Sequence, residues 1–153
     1  MTTHSLVQIL AKAPHSARQL MQLLQLSQPS LSRLVRGQPM ILKVGKARAT
    51  QYALKREVRD LGMEWPVYRV TPQAQVQLAG KLIAIQPQGF VWRDLSNDSD
   101  SLHESLPWFL WDMRPQGFLG RAFKQVHQEL SLPPRLHDWQ DDDVLLFLLK
   151  FGF

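Results

Sequence analysis

Residues 27–37 read SQPSLSRLVRG, and the reading of this segment decides the fold of everything before it. Leu31, Leu34 and Val35 recur at helical spacing, with Gln28, Ser30, Ser32, Arg33 and Arg36 among them. Ser27 has the side chain of an N-cap, Pro29 falls in the first turn where a missing N–H costs little, and Gly37 is placed as a left-handed stop. The spacing predicts an amphipathic helix whose apolar stripe packs on neighbours and whose polar face is left over.

Two more helices are predicted upstream. In SLVQILAKA (residues 5–13), Leu6, Ile9, Leu10 and Ala13 share one face, and Pro14 breaks the pattern. Ser16 is a good N-cap for ARQLMQLLQ (17–25), where Ala17, Leu20, Met21 and Leu24 fall together. Only QLS separates the second helix from the third, the spacing of a helix-turn-helix whose second helix enters the DNA major groove. Downstream, MILKVGKARATQYAL (40–54) has a short apolar run, a basic turn with a glycine, and a second run. It predicts a β-hairpin with a loop of three to five residues, which after a helix-turn-helix is a wing.

Charge follows the same division. From Met1 to Arg56 the chain holds nine Lys and Arg and no Asp or Glu. That segment carries +9 and the remainder −4, which together make the net charge of +5. Clustered positive charge without acids suits a phosphate backbone. The expected contacts with double-stranded operator DNA are Gln28, Ser30, Ser32 and Arg33 from the helix, Arg36 to backbone, and Lys43, Lys46 and Arg48 from the hairpin.

After residue 54 the period changes. KREVRDLGMEWP (55–66) is expected to form a connecting helix that ends near Gly62. VYRVT, AQVQLAGKLIAIQ and FVWRDL alternate, with turn signals at Thr71–Pro72, Pro87–Gln88–Gly89 and Ser96–Asn97. They predict a small antiparallel sheet with Val76, Leu78, Leu82 and Ile85 partly in the core, covered by helices. The cover is expected from residues 106–130, broken at Pro115 and Gly117, and from DWQDDDVLLFLLKFGF (138–153). There Asp138 or Asp141 caps a helix and the acidic triplet 141–143 faces its positive end. The apolar run from Val144 to Leu149 needs burial within the chain or against a partner.

Several functions lack a signature. There is no cysteine, hence no disulfide or thiolate site, which fits a cytoplasmic protein. No apolar run spans a bilayer, and the N-terminus lacks the basic start and long apolar stretch of a signal peptide. The five histidines have no ligand spacing, and neither a phosphate loop, an HExxH nor a nucleophile with a base is found. No metal, no cofactor and no enzyme activity are expected on these grounds.

LPWFLWDMRPQGFLGRAF (106–123) closely resembles the N-terminal subdomain of HipA-family toxins, in particular their YjjJ-type branch. SQPSLSRLVRG resembles the helix-turn-helix with which that branch begins, and LPPRLHDWQDDDVLLFLLKFG (132–152) resembles the segment that follows the subdomain. The resemblance implies serine/threonine kinase toxins whose kinase core lies downstream of this point. The ATP-binding and catalytic segments have no counterpart in the 153 residues.

The resulting expectation is an α+β protein. A winged helix-turn-helix at 1–62 is followed by a small antiparallel sheet covered by helices, a HipA-type N-terminal subdomain, at 63–153. Its expected role is a non-catalytic regulator, an autorepressor and antitoxin that holds a separate HipA-like kinase through Trp111, Arg114, Gln116, Phe118, Arg121, Phe147 and Phe151. A homodimer on a two-fold operator is compatible with it. The alternatives are a truncated N-terminal fragment of a HipA-family kinase toxin, and an interaction module whose winged helix binds protein.

Overall fold

The computed structural model of the chain describes residues 3–115 and 130–151. It is an α+β protein with two antiparallel sheets. The chain forms two compact units, Met1–Glu104 and Ser105–Phe153. Residue 62, where the first domain was expected to end, lies within the first unit.

The first unit begins with three helices, α1 (Thr3–Lys12), α2 (Ala17–Leu24) and α3 (Gln28–Arg36). A two-residue strand β1 (His15–Ser16) lies between α1 and α2. Ser16 caps α2 as expected: its hydroxyl accepts the Gln19 N–H at 3.1 Å, and the Gln19 side chain accepts the Ser16 N–H at 2.9 Å. Leu6, Leu10, Leu20, Leu24 and Leu31 are buried together, with Leu34 and Val35 partly buried against them. The left-handed residue is not where the sequence placed it. Gln25 ends α2 with φ 54°, whereas Gly37 closes α3 at φ −82°. The sharp turn is needed between α2 and α3, and an exposed glutamine takes it there at modest cost.

Strands β2 (Ile41–Val44) and β3 (Gln51–Leu54) form the expected hairpin, and β1 pairs with the far side of β3. The loop occupies residues 45–50, longer than expected, because Ala47–Ala49 winds one 3₁₀ turn. Gly45 makes that possible. It has φ +78°, and a Cβ there would lie 2.8 Å from the Ala49 carbonyl oxygen.

The second sheet runs β4 (Glu64–Val70), β5 (Val76–Ala84), β6 (Phe90–Asp94) and β7 (Ser99–His103), each antiparallel to its neighbour in that order. The connecting helix expected at 55–66 does not form. Lys55 bridges Ile85, and Arg56 N–H donates to the Ala84 carbonyl at 2.9 Å, so the chain leaves β3 still extended. A turn closed by the Val58 N–H to the Gly62 carbonyl leads into β4. The Lys55 N–H donates to the Met40 carbonyl and the Arg56 N–H to Ala84 at the end of β5, and tertiary pairing overrides the weak local helix preference. Pro66 is accommodated because β4 is an edge strand. Leu82 and Ile85 are buried as expected, but Val76 and Leu78 are exposed, since they lie on the outer end of the β4–β5 hairpin.

The two sheets of the first unit share a core. Leu42, Val44 and Ala53 of the hairpin pack with Ile83, Ile85 and Val91. A polar clamp closes the edge of this layer. Asp100 accepts the Gly45 N–H at 2.8 Å and both Arg93 nitrogens, Nε at 2.9 Å and Nη2 at 3.2 Å, and Arg93 Nη2 also donates to the Lys43 carbonyl at 2.9 Å. Burial pushes the Asp100 carboxyl upward, but hydrogen bonds from Arg93 and Gly45 and the charges of Arg93 and Lys46 outweigh it. The group ends below the usual carboxylate value.

The second unit contains the short helix α4 (Trp108–Trp111) and the helix α5 (Asp141–Phe151). The sequence points to Asp138 or Asp141 as the cap of α5, and the structure adds Asp143 at its start. The buried Asp143 reaches back to accept the Gln140 N–H at 2.9 Å, and its own N–H donates to the Gln140 carbonyl at 3.0 Å. Its charge also suits the positive helix end. Val144, Leu145 and Leu146 are buried. The Trp139 indole donates to the Pro133 carbonyl at 3.1 Å, and its ring meets Phe147, which meets Phe151.

Two outcomes follow for stability. Asp100→Asn loses charge-assisted bonds and is expected to cost about 1.5 kcal/mol, or roughly 3–6 °C in Tm. Because the folded-state pKa is lowered, the wild-type advantage is full above the unfolded value near 4. It fades as pH falls through the folded value, so the gap between the unfolding curves of the two proteins at pH 7 should narrow as the pH is lowered below the unfolded value. Gly80→Ala puts a Cβ 2.3 Å from the Arg93 carbonyl oxygen and 2.6 Å from the Trp92 ring. Overpacking of this kind costs about 1–3 kcal/mol, to be read from the midpoint of chemical unfolding.

Candidate functional site

The outward face of α3 is built by the cap and stripe described above. With Leu31, Leu34 and Val35 turned to the core, Gln28, Arg33 and Arg36 are exposed, and Ser30 and Ser32 are half-buried. Ser30 is tied into the cap: its N–H donates to the Ser27 hydroxyl at 3.4 Å, and Ser27 Oγ donates to Ser30 Oγ at 3.0 Å. Arg33 and Arg36 stand in the last turn, where cations also suit the helix dipole. The turn before α3 is short because Gln25 is left-handed, which lets Leu26 N–H reach the Met21 carbonyl at 3.1 Å. The α3 face is therefore a projecting polar surface with two exposed guanidinium groups and a rigid base.

The hairpin residues fall into two sets. Lys43 and Arg48 are exposed. Lys46 is exposed too, but its ammonium is ion-paired with the Asp98 carboxylate across the β6–β7 turn. An open cleft of about 550 Å³ lies beside this pair, bordered by Lys43, Lys46, Arg93, Asp94, Asp98 and Asp100. Its opposed charges nearly balance. The fold thus brings acids to the tip of a segment that has none of its own. Sequence reasoning missed Arg93, Asp98 and Asp100. The run LSNDSDSLH (95–103) has no β-branched residue, so β7 gives little signal, and the pairing spans some fifty positions.

Among the residues expected to meet a kinase, Trp111 and Arg114 form a local pair. The Arg114 guanidinium lies 4.8 Å from the Trp111 ring centroid, and its Nη1 donates to the Trp111 carbonyl at 2.9 Å. Trp108 beside them is 74% exposed and meets Phe109 edge-on. Phe147 and Phe151 are half-buried in the ring series on α5. Gln116, Phe118 and Arg121, with the expected break at Gly117 and the helix after it, lie outside the described residues.

Other titratable groups show ordinary structural roles. Burial pushes the Glu64 carboxyl up, but Lys55 and Lys81, each 3.5 Å away, bring it below its usual value. Burial lowers His103, whose Nε2 lies 2.8 Å from Ser101 Oγ. Among the described residues no group of His, Asp and Glu is arranged to hold a metal ion. Among them, too, no helix is long and apolar enough to cross a membrane.

Comparison with known proteins adds what the geometry leaves open. Residues 61–153 match a family model described as the YjjJ-like toxin, middle domain. The chain is 38% identical over 148 residues to the toxin YjjJ of Escherichia coli (strain K12), which covers 96% of this chain and 33% of that protein. The chain thus spans about a third of the length of the curated relative it matches. No solved structure matches it.

Both matches are to toxins, and two expectations give way. The reading as a non-catalytic regulator and antitoxin is overturned, because the protein matched along nearly the whole chain is a toxin and not a neutraliser of one. The expectation that there is no enzyme falls with it. It rested on motifs missing from a stretch equal to a third of the relative, and such a stretch is silent about the chemistry of the whole. With the match over residues 61–153 covering more than half its length, the chain belongs to the YjjJ-like toxin family.

Proposed function

We propose that the chain is the DNA-contacting front and middle portion of a HipA-type serine/threonine kinase toxin of the YjjJ branch. In this reading α1, α2, α3 and the β2–β3 hairpin are a winged helix-turn-helix, and the residues from about 63 onward are the HipA-type N-terminal subdomain. The observation that carries the reading is the outer face of α3, where Gln28, Arg33 and Arg36 are exposed on a helix held rigidly by Leu31, Leu34 and Val35. A recognition helix needs this combination, because base edges are read by side chains placed with little freedom. The acid-free +9 charge of residues 1–56 supplies the general attraction for phosphate.

The roles within the face differ. Arg33 and Gln28 suit guanine and adenine edges in the major groove. Arg36, Lys43 and Arg48 suit the backbone on either side. Two copies on a two-fold site would double the contacts. The residues Trp111, Arg114, Gln116, Phe118, Arg121, Phe147 and Phe151 then meet the kinase portion of the toxin itself. The 38% identity with a protein named as a toxin supports reading the chain as part of a toxin.

The test is a titration of the protein with its own upstream duplex and with a scrambled duplex at two salt concentrations. Preferential binding that survives the higher salt is expected. Arg33→Ala should lose about 1–3 kcal/mol and relax discrimination, whereas Arg36→Ala should weaken all duplexes alike and flatten the salt slope by about one. No binding to either duplex at low salt, or variants that bind like wild type, would sink the proposal.

A further inference from the structure

The hairpin tip of a DNA-binding wing is expected to be free, yet here it is held by acids from elsewhere in the same unit. Lys46 is paired with Asp98, and Asp94, Asp98 and Asp100 border the cleft beneath it. The three acids do different work. Asp100 is largely buried and bonded to Gly45 and Arg93, so it holds the hairpin to the sheet. Asp94 accepts the Ser96 N–H at 2.7 Å and the Asn97 N–H at 3.3 Å, so it builds the turn. Asp98 is 86% exposed on its side chain, and its carboxylate is paired with Lys46.

We propose that Asp98 is an intramolecular competitor for the phosphate that Lys46 contacts, so that the wing engages DNA only by displacing it. The inference rests on the DNA-binding reading above and specifies how that surface is tuned. The chemistry is an exchange of one oxyanion for another at the same ammonium. In the free protein Lys46 is neutralised by Asp98. In the complex Lys46 turns to phosphate and Asp98 is left to water, at little cost because both side chains are already solvated. The α3 face carries no such acid: among the described residues, neither Arg33 nor Arg36 is in an ion pair. The same protein therefore has a ready helix and a screened wing.

The test uses the whole chain and its upstream duplex. Asp98 has φ +47°, a conformation that asparagine tolerates well, so Asp98→Asn removes the charge and keeps the turn. We expect Asp98→Asn to bind roughly two- to fivefold tighter than wild type with a salt slope steeper by about one. Lys46→Ala alone should change affinity little, and the gain from Asp98→Asn should vanish in the Lys46→Ala background. Equal affinity and slope for wild type and Asp98→Asn, with wild type binding, overturns the competitor and leaves the DNA reading standing. A gain that persists without Lys46 also overturns it, since the effect is then general repulsion. Binding by Asp98→Asn but not by wild type supports it in its strongest form, and binding by neither overturns both readings.

Discussion

The β2–β3 hairpin belongs to two cores at once, and the first unit depends on this. Side chains alternate across a strand, and here both faces are used. The cross-strand pair Ile41 and Leu54, with Tyr52, joins the leucines of the three helices. The next pair, Leu42 and Ala53, with Val44, turns the other way and packs on Ile83, Ile85 and Val91. A slip of one residue in the register would exchange the two sets. It would also carry Gly45 away from Asp100, because the tip of the loop and the clamp are set by the same register. The helices and the four-stranded sheet are therefore not independent modules joined by a tether.

This arrangement limits what the hairpin can offer to a partner. A hairpin with one exposed face can be read as a mobile basic flap. A hairpin buried on both faces is a structural beam, and only its tip and its outward Lys43 remain for contact. The acids of the β6–β7 turn reach that tip because the clamp ties the hairpin to β6 and β7. Positive charge in the first 56 residues thus does not translate directly into a positive surface. At the tip it is balanced, and on α3 it is not.

Membership of a toxin family alters the biological frame more than the physical one. The α3 face and the clamp are properties of these residues themselves. The reading as an antitoxin came from equating the absence of catalytic motifs with the absence of catalysis. In a stretch equal to a third of the toxin it resembles, that equation has no force.

Local patterns in the sequence determined a good deal. The three helices, the Ser16 and Ser27 caps, the hairpin and strands β4 to β6 were legible, since each depends on periodicity, capping or turn chemistry within a few residues. The polar face of α3 was legible for the same reason, because the apolar stripe of a helix defines its opposite side. What depends on distant pairing was decided only by the tertiary structure. Residues 55–63 look helical alone but go extended and then turn, because the Lys55 N–H finds the Met40 carbonyl and the Arg56 N–H finds Ala84 of β5. Strand β7 is nearly silent in composition and exists through its ladder with β6. The meeting of Lys46 with Asp98, and of Gly45 with Asp100, brings together groups some fifty residues apart that no local rule connects. Electrostatics acts through space, and only the fold says which charges become neighbours.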